Sequence, residues 1–443
     1  MSTWKSTRSG ATATLTEALF QGPAPDGGLY VPAALPAVDA ARIARTSGSF
    51  QETATRMAVG LLGGEVPASV LEEIVAEALD FPVPLVPIGD DLHVLELFHG
   101  PTAAFKDVGA RFMAALMDRL DPEPDRTRVV LVATSGDTGG AVAHAFAARS
   151  RFRVVVLFPG SGVSDEQRRL FTTLGRNVTA VSVDDSFDAC QALVKAAFRS
   201  GEAERLALTA ANSINVGRLV PQSFYYVDAV RQGAWGRPCV FSVPSGNLGN
   251  ITGGLIAALA GLPVERLVAS LNANDVYLRH LRTGSAGRQA TRKTLSSAMD
   301  VGDPSNLERL SALTGASLDE LRRRTWSASF DDDATVAAMA RCHRERGYLI
   351  DPHGAVGLLG AEAYREAHAR GDGDRGAPTV VLATAHPAKL PAVVEAATGV
   401  HPPVPPAIAQ ALRAEERTVP LKGDLPGLLE LLDEVAGGGV VIR

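Results

Sequence analysis

The sequence predicts an α/β fold: a mostly parallel sheet covered by helices on both faces, with a mainly helical module ahead of it. Three observations carry that prediction. Short β-branched runs (Val129 to Thr134, Val154 to Phe158, Val178 to Val183, Cys239 to Val243, Leu267 to Asn272, Val380 to Thr384) alternate with amphipathic helical stretches. The runs are apolar almost throughout rather than at every second residue, which marks strands buried on both faces, as in parallel sheets. Three of them end in small, polar, helix-opening loops, and open α/β sheets hold ligands outside the carboxyl ends of their strands.

Taken in order, residues 1–90 form the leading module. Leu15 to Phe20 reads as helix, Gln21 to Tyr30 is turn-rich around Pro-Asp-Gly-Gly, and 50–80 carries apolar residues at helical spacing. From His93 the strand-and-helix alternation begins and continues to about residue 400. Gly371 to Gly376 is a polar insertion expected as a surface loop. The proline-rich His401 to Pro406 marks the passage to a helical C-terminal tail, 401–443.

The 443 residues are enough for about three domains, or for two with insertions. Hydrophobic residues at 46% and charged residues at 21% exclude a disordered, collagenous or coiled-coil chain. Forty-three basic against 49 acidic residues leave a net charge of −6, with no electrostatic footprint for nucleic acid, so the expected partner is a small molecule. Cys190, Cys239 and Cys342 are odd in number and widely spaced, which suits a reducing compartment better than a disulfide framework. No signal-like segment opens the chain and no apolar run approaches the ~20 residues of a membrane span; the expected location is the cytoplasm. HExxH and GxSxG patterns are absent, so neither a catalytic metal nor a serine-hydrolase elbow is written here.

Lys106 is the leading candidate for chemistry. It follows a strand-like run, His93 to Phe98, that breaks at Gly100-Pro101, and its amine is set among Phe98, Ala103, Ala104 and Phe105. Loss of hydration disfavours the ammonium form, so the amine becomes a nucleophile able to form a Schiff base. The alternative is a surface lysine with a snorkelling stem. The loop Ser245-Gly246-Asn247-Leu248-Gly249-Asn250, with a helix from about Ile251, reads as a phosphate cup, or else as a glycine turn packing helix on strand. It is neither a Walker A loop nor a GxGxxG fingerprint. Thr134-Ser135-Gly136-Asp137-Thr138-Gly139 offers hydroxyls and free N–H groups suited to an amino-acid carboxylate, or a helix cap made by Ser or Asp. Thr384, at the end of the last strand, could face a pyridine nitrogen, or simply cap its strand. His99, His353 and His386 have no evident carboxylate partners and read as structural.

These motifs, with Ser6-Thr7-Arg8, Ala24 to Pro32, His99 to Asp107, Ser135 to Phe146, Phe187 to Phe198, Asn212 to Asn215, Pro244 to Asn250, Lys293 to Asn306, Asp351 to Gly357 and Thr384 to Lys389, run in one order through nearly the whole chain. In that order they resemble the bacterial and fungal threonine synthases, within the fold-type-II (tryptophan synthase β-like) pyridoxal 5'-phosphate enzymes. The resemblance implies two open, mostly parallel sheets, with a smaller mobile subdomain at about 110–235 that closes over the cofactor and a larger one at about 236–400 joined by 91–109. It implies a carbon–oxygen lyase acting on phosphate, converting O-phospho-L-homoserine and water to L-threonine and phosphate, the last step of threonine biosynthesis, in a monomer or homodimer.

Residue by residue, the resemblance implies that Lys106 holds the cofactor aldehyde and moves protons, and that Gly246, Asn247, Leu248, Gly249 and Asn250 hold its phosphate. Thr384 meets the pyridine nitrogen, and Asp137 lies near the ring oxygen or caps its helix. Ser135 and Thr138 take the substrate carboxylate, with Lys293 and Arg218 at the substrate phosphate. No metal is implied. The chain departs from the family pattern at Leu248, where an aromatic is common, at Ala103, where Leu is, and at Leu390, where Phe is. The competing readings are a phospho-lyase acting on O-phosphothreonine or O-phosphoserine, and a catalytically silent sensor of cofactor or amino acid.

Overall fold

In the computed structural model, which describes residues 3–89, 91–285, 287–369 and 376–438, the apolar runs become strands of two open sheets. The larger has six strands in the order Thr325–Ser329, Val264–Leu271, Cys239–Pro244, Thr379–Ala383, Leu92–Glu96, Leu85–Gly89. All its pairings are parallel except the last, a tight antiparallel return. The smaller has five strands, all parallel, in the order Val419–Leu421, Val178–Val183, Phe152–Pro159, Arg128–Ala133, Leu208–Ala210. Every residue of Cys239–Pro244 is buried, and in Phe152–Pro159 only Arg153 escapes full burial. Helices on both faces produce that continuous burial.

Four strands carried no apolar-run signal, and each has a physical reason. Thr325–Ser329 (Thr-Trp-Ser-Ala-Ser) is an edge strand, Leu208–Ala210 and Val419–Leu421 have three residues each, and Leu85–Gly89 is interrupted by Pro87. The tail is therefore not purely helical. Between its helices Pro406–Arg413 and Leu425–Ala436 it adds Val419–Leu421 to the edge of the smaller sheet. The second of these helices lays Leu428, Leu431 and Leu432 on Val129, Leu131, Val155 and Leu157 of that sheet.

The leading module has the expected helices and, in addition, a small antiparallel sheet of Trp4–Ser6, Thr12–Ala13 and Tyr30–Pro32. Thr14 with Glu17, and Ser49 with Glu52, form capping boxes that start helices Leu15–Gln21 and Phe50–Leu62. The polar insertion expected at 371–376 lies, apart from Gly376, outside the described residues. Among the described residues no helix is long and apolar enough to cross a membrane.

Because the tail helix supplies one apolar cover of the smaller sheet, truncating its fully buried Leu432 to Ala is expected to cost about 2–5 kcal/mol of stability, read as a lower urea midpoint with an unchanged slope.

Candidate active site

Cys239–Pro244, Thr379–Ala383 and Leu92–Glu96 are adjacent parallel strands, so the loops that follow them leave the same edge of the larger sheet side by side. The chain steps outward from Cys239–Pro244 to one edge, while Thr379–Ala383 lies on its other side. This reversal of strand order opens a crevice between their loops. Backbone bonds then stitch the lysine loop to the last-strand loop. The Phe105 N–H donates to the Thr384 carbonyl (2.9 Å), and the His386 N–H donates to the Ala103 carbonyl (3.0 Å). Lys106 opens helix Lys106–Leu120 one residue beyond that seam, beside Thr384, which is buried. Behind it, buried Asp107 accepts from the Thr102 N–H (2.8 Å) and hydroxyl (2.7 Å), fixing the turn. Burial raises the Asp107 pKa, and the two Thr102 bonds oppose the rise.

The Lys106 side chain is only partly covered, yet enough protein surrounds its amine to bring the pKa down to about 8. Burial is the largest cause; Asp137 opposes it, and Lys389 and Arg218 add to it. Asp137 begins helix Asp137–Phe146 on the smaller sheet, and its carboxylate does not cap that helix. It crosses the crevice to the Lys389 ammonium at 2.6 Å and also accepts from the Gln167 amide at 2.9 Å. Burial alone would raise the Asp137 pKa, but Lys389, with Lys106 beyond it, holds it well below the usual carboxylate range. Lys389 donates as well to the Thr102 carbonyl at 2.8 Å. The helix cap expected of Ser or Asp comes instead from Thr134, whose hydroxyl accepts from the N–H groups of Gly136 (2.9 Å) and Gly139 (2.8 Å). That leaves Ser135 and Thr138, both half-buried, outside the loop's own bonding.

In the 245–250 loop the helix starts at Gly249, two residues earlier than expected, because the Leu248 carbonyl already accepts from the Thr252 N–H (3.1 Å) and hydroxyl (2.6 Å). The two glycines differ in purpose. A Cβ on Gly246 would sit 2.7 Å from the Met299 Cα, so packing demands that glycine, whereas at Gly249 a Cβ would meet nothing closer than 3.5 Å. Asn247 is fully committed: its amide donates to the Ser213 hydroxyl (2.6 Å) and its side-chain oxygen accepts from the Ser305 N–H (2.6 Å). Its share in binding an anion is thus its backbone. Asn250 Oδ1 accepts from the Tyr225 (2.6 Å) and Tyr226 (2.8 Å) hydroxyls, while its Nδ2 is buried with no partner among the described residues. An orphaned buried donor beside the N-terminus of helix Gly249–Leu259 fits a phosphate, since an unmet donor is costly and an anion satisfies it. The residues present therefore fit pyridoxal phosphate, with an amine for its aldehyde and a cup for its phosphate.

Arg218 is buried, donates from Nη1 to the Ala211 carbonyl (2.8 Å), and has an Nε with no partner among the described residues. Burial lowers its pKa to about 10, with Asp107 opposing. It packs against Gly109, one turn into the lysine helix, where a Cβ would meet Arg218 Nε at 3.1 Å. Lys293, by contrast, is exposed, on a loop pinned by the Arg292 N–H to Asn274 Oδ1 at 2.8 Å. Two of the three histidines, His353 and His99, do have carboxylate partners, contrary to expectation. His353 Nδ1 lies 2.5 Å from Asp351 while its Nε2 accepts from the Ala298 N–H, and His99 Nε2 lies 2.7 Å from Glu96. His386 accepts from the Ala388 N–H, and burial brings its pKa down to about 4. Lys389 and Gln167 are the residues sequence reasoning missed; the only available signal was that Lys389 closes the third of the loops already singled out.

Since the free amine attacks aldehydes, trapping of a small aldehyde on Lys106 in cofactor-stripped protein should rise about tenfold per pH unit below the inflection near 8 and level off above it. Asp137→Asn removes the charge that raises this pKa, so the inflection should move to lower pH. Borohydride reduction and peptide mapping across a pH series check both; an inflection unmoved or shifted upward in the variant would contradict the electrostatic account.

Comparison with known proteins agrees along the whole chain. Residues 83–385 match the family described as pyridoxal-phosphate dependent enzyme, residues 3–79 the threonine synthase N terminus, and residues 354–430 the threonine synthase C-terminal region. The threonine synthase of Serratia marcescens is 42% identical over 412 residues, covering 91% of each chain. The crystal structure of pyridoxal phosphate-bound threonine synthase from Brucella melitensis superposes with a TM-score of 0.90 at 36% identity, covering 98% of this chain and 100% of that one. That of the Escherichia coli threonine synthase gives 0.89 at 37% identity, covering 98% and 99%. With its two mostly parallel sheets and these matches along its length, the chain belongs to the threonine synthase family of fold-type-II pyridoxal phosphate enzymes.

Proposed function

We propose that the protein converts O-phospho-L-homoserine and water to L-threonine and phosphate. One observation supports this above others: beside an amine of lowered pKa the chain carries two separate sets of groups suited to anions. One is the 245–250 loop with its orphaned Asn250 donor; the other is the buried Arg218, whose Nε has no partner among the described residues and whose charge bears on the amine. A cofactor phosphate and a substrate phosphate need two such sets.

Pyridoxal phosphate, when bound, supplies an electron sink that lets protons leave the substrate carbons. The side chains supply the rest. Lys106 Nζ takes the proton from Cα, serves the loss of one at Cβ, and returns protons to Cα and Cγ, which needs an amine able to hold and release a proton near neutral pH. Phosphate leaves from Cγ and water adds at Cβ. Arg218, whose Nε has no partner among the described residues, neutralises the departing phosphate in a water-poor setting, and Lys293, which is exposed, is the second cation proposed for it. Ser135 and Thr138, with the N–H groups of helix Asp137–Phe146, receive the substrate carboxylate. Thr384 offers the pyridine nitrogen a neutral hydroxyl. The Asp137–Lys389 pair keeps the sheets together and limits entry of water. We read the enzyme as cytoplasmic, a location that its three free, buried thiols suit, and as a monomer or homodimer.

Incubating the holoenzyme separately with O-phosphohomoserine, O-phosphothreonine and O-phosphoserine and identifying every product tests the reading: threonine and phosphate are expected from the first alone. A 2-oxo acid with ammonia as the main product would point to a phospho-lyase instead. Lys106→Ala should lose turnover. Arg218→Met should lower kcat/KM about 100-fold or more, whereas Lys293→Ala, at an exposed position, should change it less than about tenfold. The reverse order would move the substrate phosphate to Lys293.

A further inference from the structure

The proposed reaction assigns no task to the N-terminal module, although one buried guanidinium ties that module to the cup. Arg309, in the short helix Leu307–Leu313, is fully buried at 0% exposure. Its Nε donates to the Tyr30 carbonyl in the module (3.0 Å). Its Nη1 donates to the Ser213 carbonyl and to Asn306 Oδ1 (both 2.9 Å), and Nη2 to the Ile214 carbonyl (2.5 Å). All four acceptors are neutral oxygens. A buried cation without a carboxylate is a poor source of stability, because apolar side chains of similar volume often do as well or better. What the planar guanidinium gives is fixed geometry, holding three separate chain segments at set distances.

Two of those segments hold the cup. Ser213 Oγ accepts from Asn247 Nδ2 (2.6 Å), and Asn306 Nδ2 donates to the Asn247 carbonyl (3.1 Å). Ser305, beside Asn306, donates its N–H (2.6 Å) and hydroxyl (2.9 Å) to Asn247 Oδ1. The Asn247 side chain and carbonyl are thus fixed by neighbours that Arg309 itself aligns. The module grips the same helix one residue earlier: Arg8 Nε and Nη2 meet the Glu308 carboxylate at 3.1 Å each, and the Thr7 hydroxyl donates to it. Thr7 in turn accepts from the Leu29 N–H (2.9 Å), next to Tyr30. Residues of the Ser6-Thr7-Arg8, Ala24 to Pro32, Asn212 to Asn215 and Lys293 to Asn306 motifs meet at this one helix.

We infer that Arg309 is a positioning residue for the cofactor phosphate, through which the N-terminal module sets the backbone of Gly246 to Gly249. The inference rests on reading that loop as the phosphate cup. To test it, cofactor-stripped wild type, Arg309→Met and Ser213→Ala are titrated separately with pyridoxal phosphate and with pyridoxal, which lacks the phosphate, following the visible absorbance of the lysine-bound aldehyde. Ser213→Ala cuts the link to Asn247 while leaving the guanidinium seated, and it decides the matter if Arg309→Met does not fold. Affinity for pyridoxal phosphate should fall about tenfold or more in Arg309→Met and by a smaller factor in Ser213→Ala. Affinity for pyridoxal should stay within about twofold of wild type in both, a change within the scatter of a surface substitution. Equal losses for both ligands, or no loss for pyridoxal phosphate, overturn the role of Arg309. A wild type with no preference for the phosphorylated ligand overturns the cup itself.

Discussion

The ion pair between Asp137 and Lys389 is the contact on which the arrangement of the crevice depends. The two side chains are 3% and 1% exposed and lie on different sheets, one at the start of a helix over the smaller sheet, the other after the central strands of the larger. Taking two charges out of water costs several kcal/mol per ion, so such a pair persists only if the remaining polar capacity is also met. Here it is: the ammonium donates to the Thr102 carbonyl, the carboxylate accepts from Gln167, and the Ser164 hydroxyl donates to the Lys389 carbonyl. Removing one partner would leave a buried charge alone, a loss of about 3–5 kcal/mol in comparable settings. The pair therefore fixes how far the smaller sheet stands from the lysine loop, and with it the distance from Lys106 to Ser135 and Thr138.

The same pair shapes the electrostatics of the amine. Asp137 alone would stabilise the Lys106 ammonium, but it is largely spent on Lys389, while Lys389 and Arg218 press the other way on top of burial. Beside the amine the crevice holds the cations Arg218 and Lys389 and the carboxylates Asp107 and Asp137; Lys389 is paired with Asp137, while the buried Arg218 keeps an Nε with no partner among the described residues. Such a site favours anions and an uncharged amine together. A substrate bearing a carboxylate and a phosphate suits both conditions, because each anionic group finds a positive end while the amine remains free to exchange protons.

What could be read in the sequence followed from how local the signal was. Central strands announced themselves because burial on two faces leaves apolar side chains at every position, as in Cys239–Pro244. Edge strands did not, because Thr325–Ser329 needs apolar side chains on one side at most. The sheltered setting of Lys106 and the glycine-containing turn that opens a helix at Gly249 were legible from their own neighbours. Lys389 was not, since its partner lies some 250 residues away on another sheet. Arg309 was beyond reach for a different reason: apart from Asn306 Oδ1 in its own helix start, it binds backbone carbonyls, which leave no residue-type signature. His353 and His99 are the opposite case, with partners close in sequence, Asp351 two residues before His353 and Glu96 three before His99, and those spacings could have been noticed.

Two of the departures from the family pattern fall at unusual backbone. Ala103 and Leu248 both have left-handed conformations, with φ of 53° and 62°, one beside Lys106 and the other at the start of the cup helix. A side chain other than glycine there carries a strain of about 1–2 kcal/mol. It is held by bonds that do not depend on the side chain: the Ala103 N–H to the Gly100 carbonyl and the Ala103 carbonyl to His386, and the Leu248 carbonyl to Thr252. Because backbone bonds set the geometry, exchanging the side chain at either position changes the local packing and leaves Lys106 and the 245–250 loop in place. Divergence at these positions therefore leaves the backbone course of both loops unchanged.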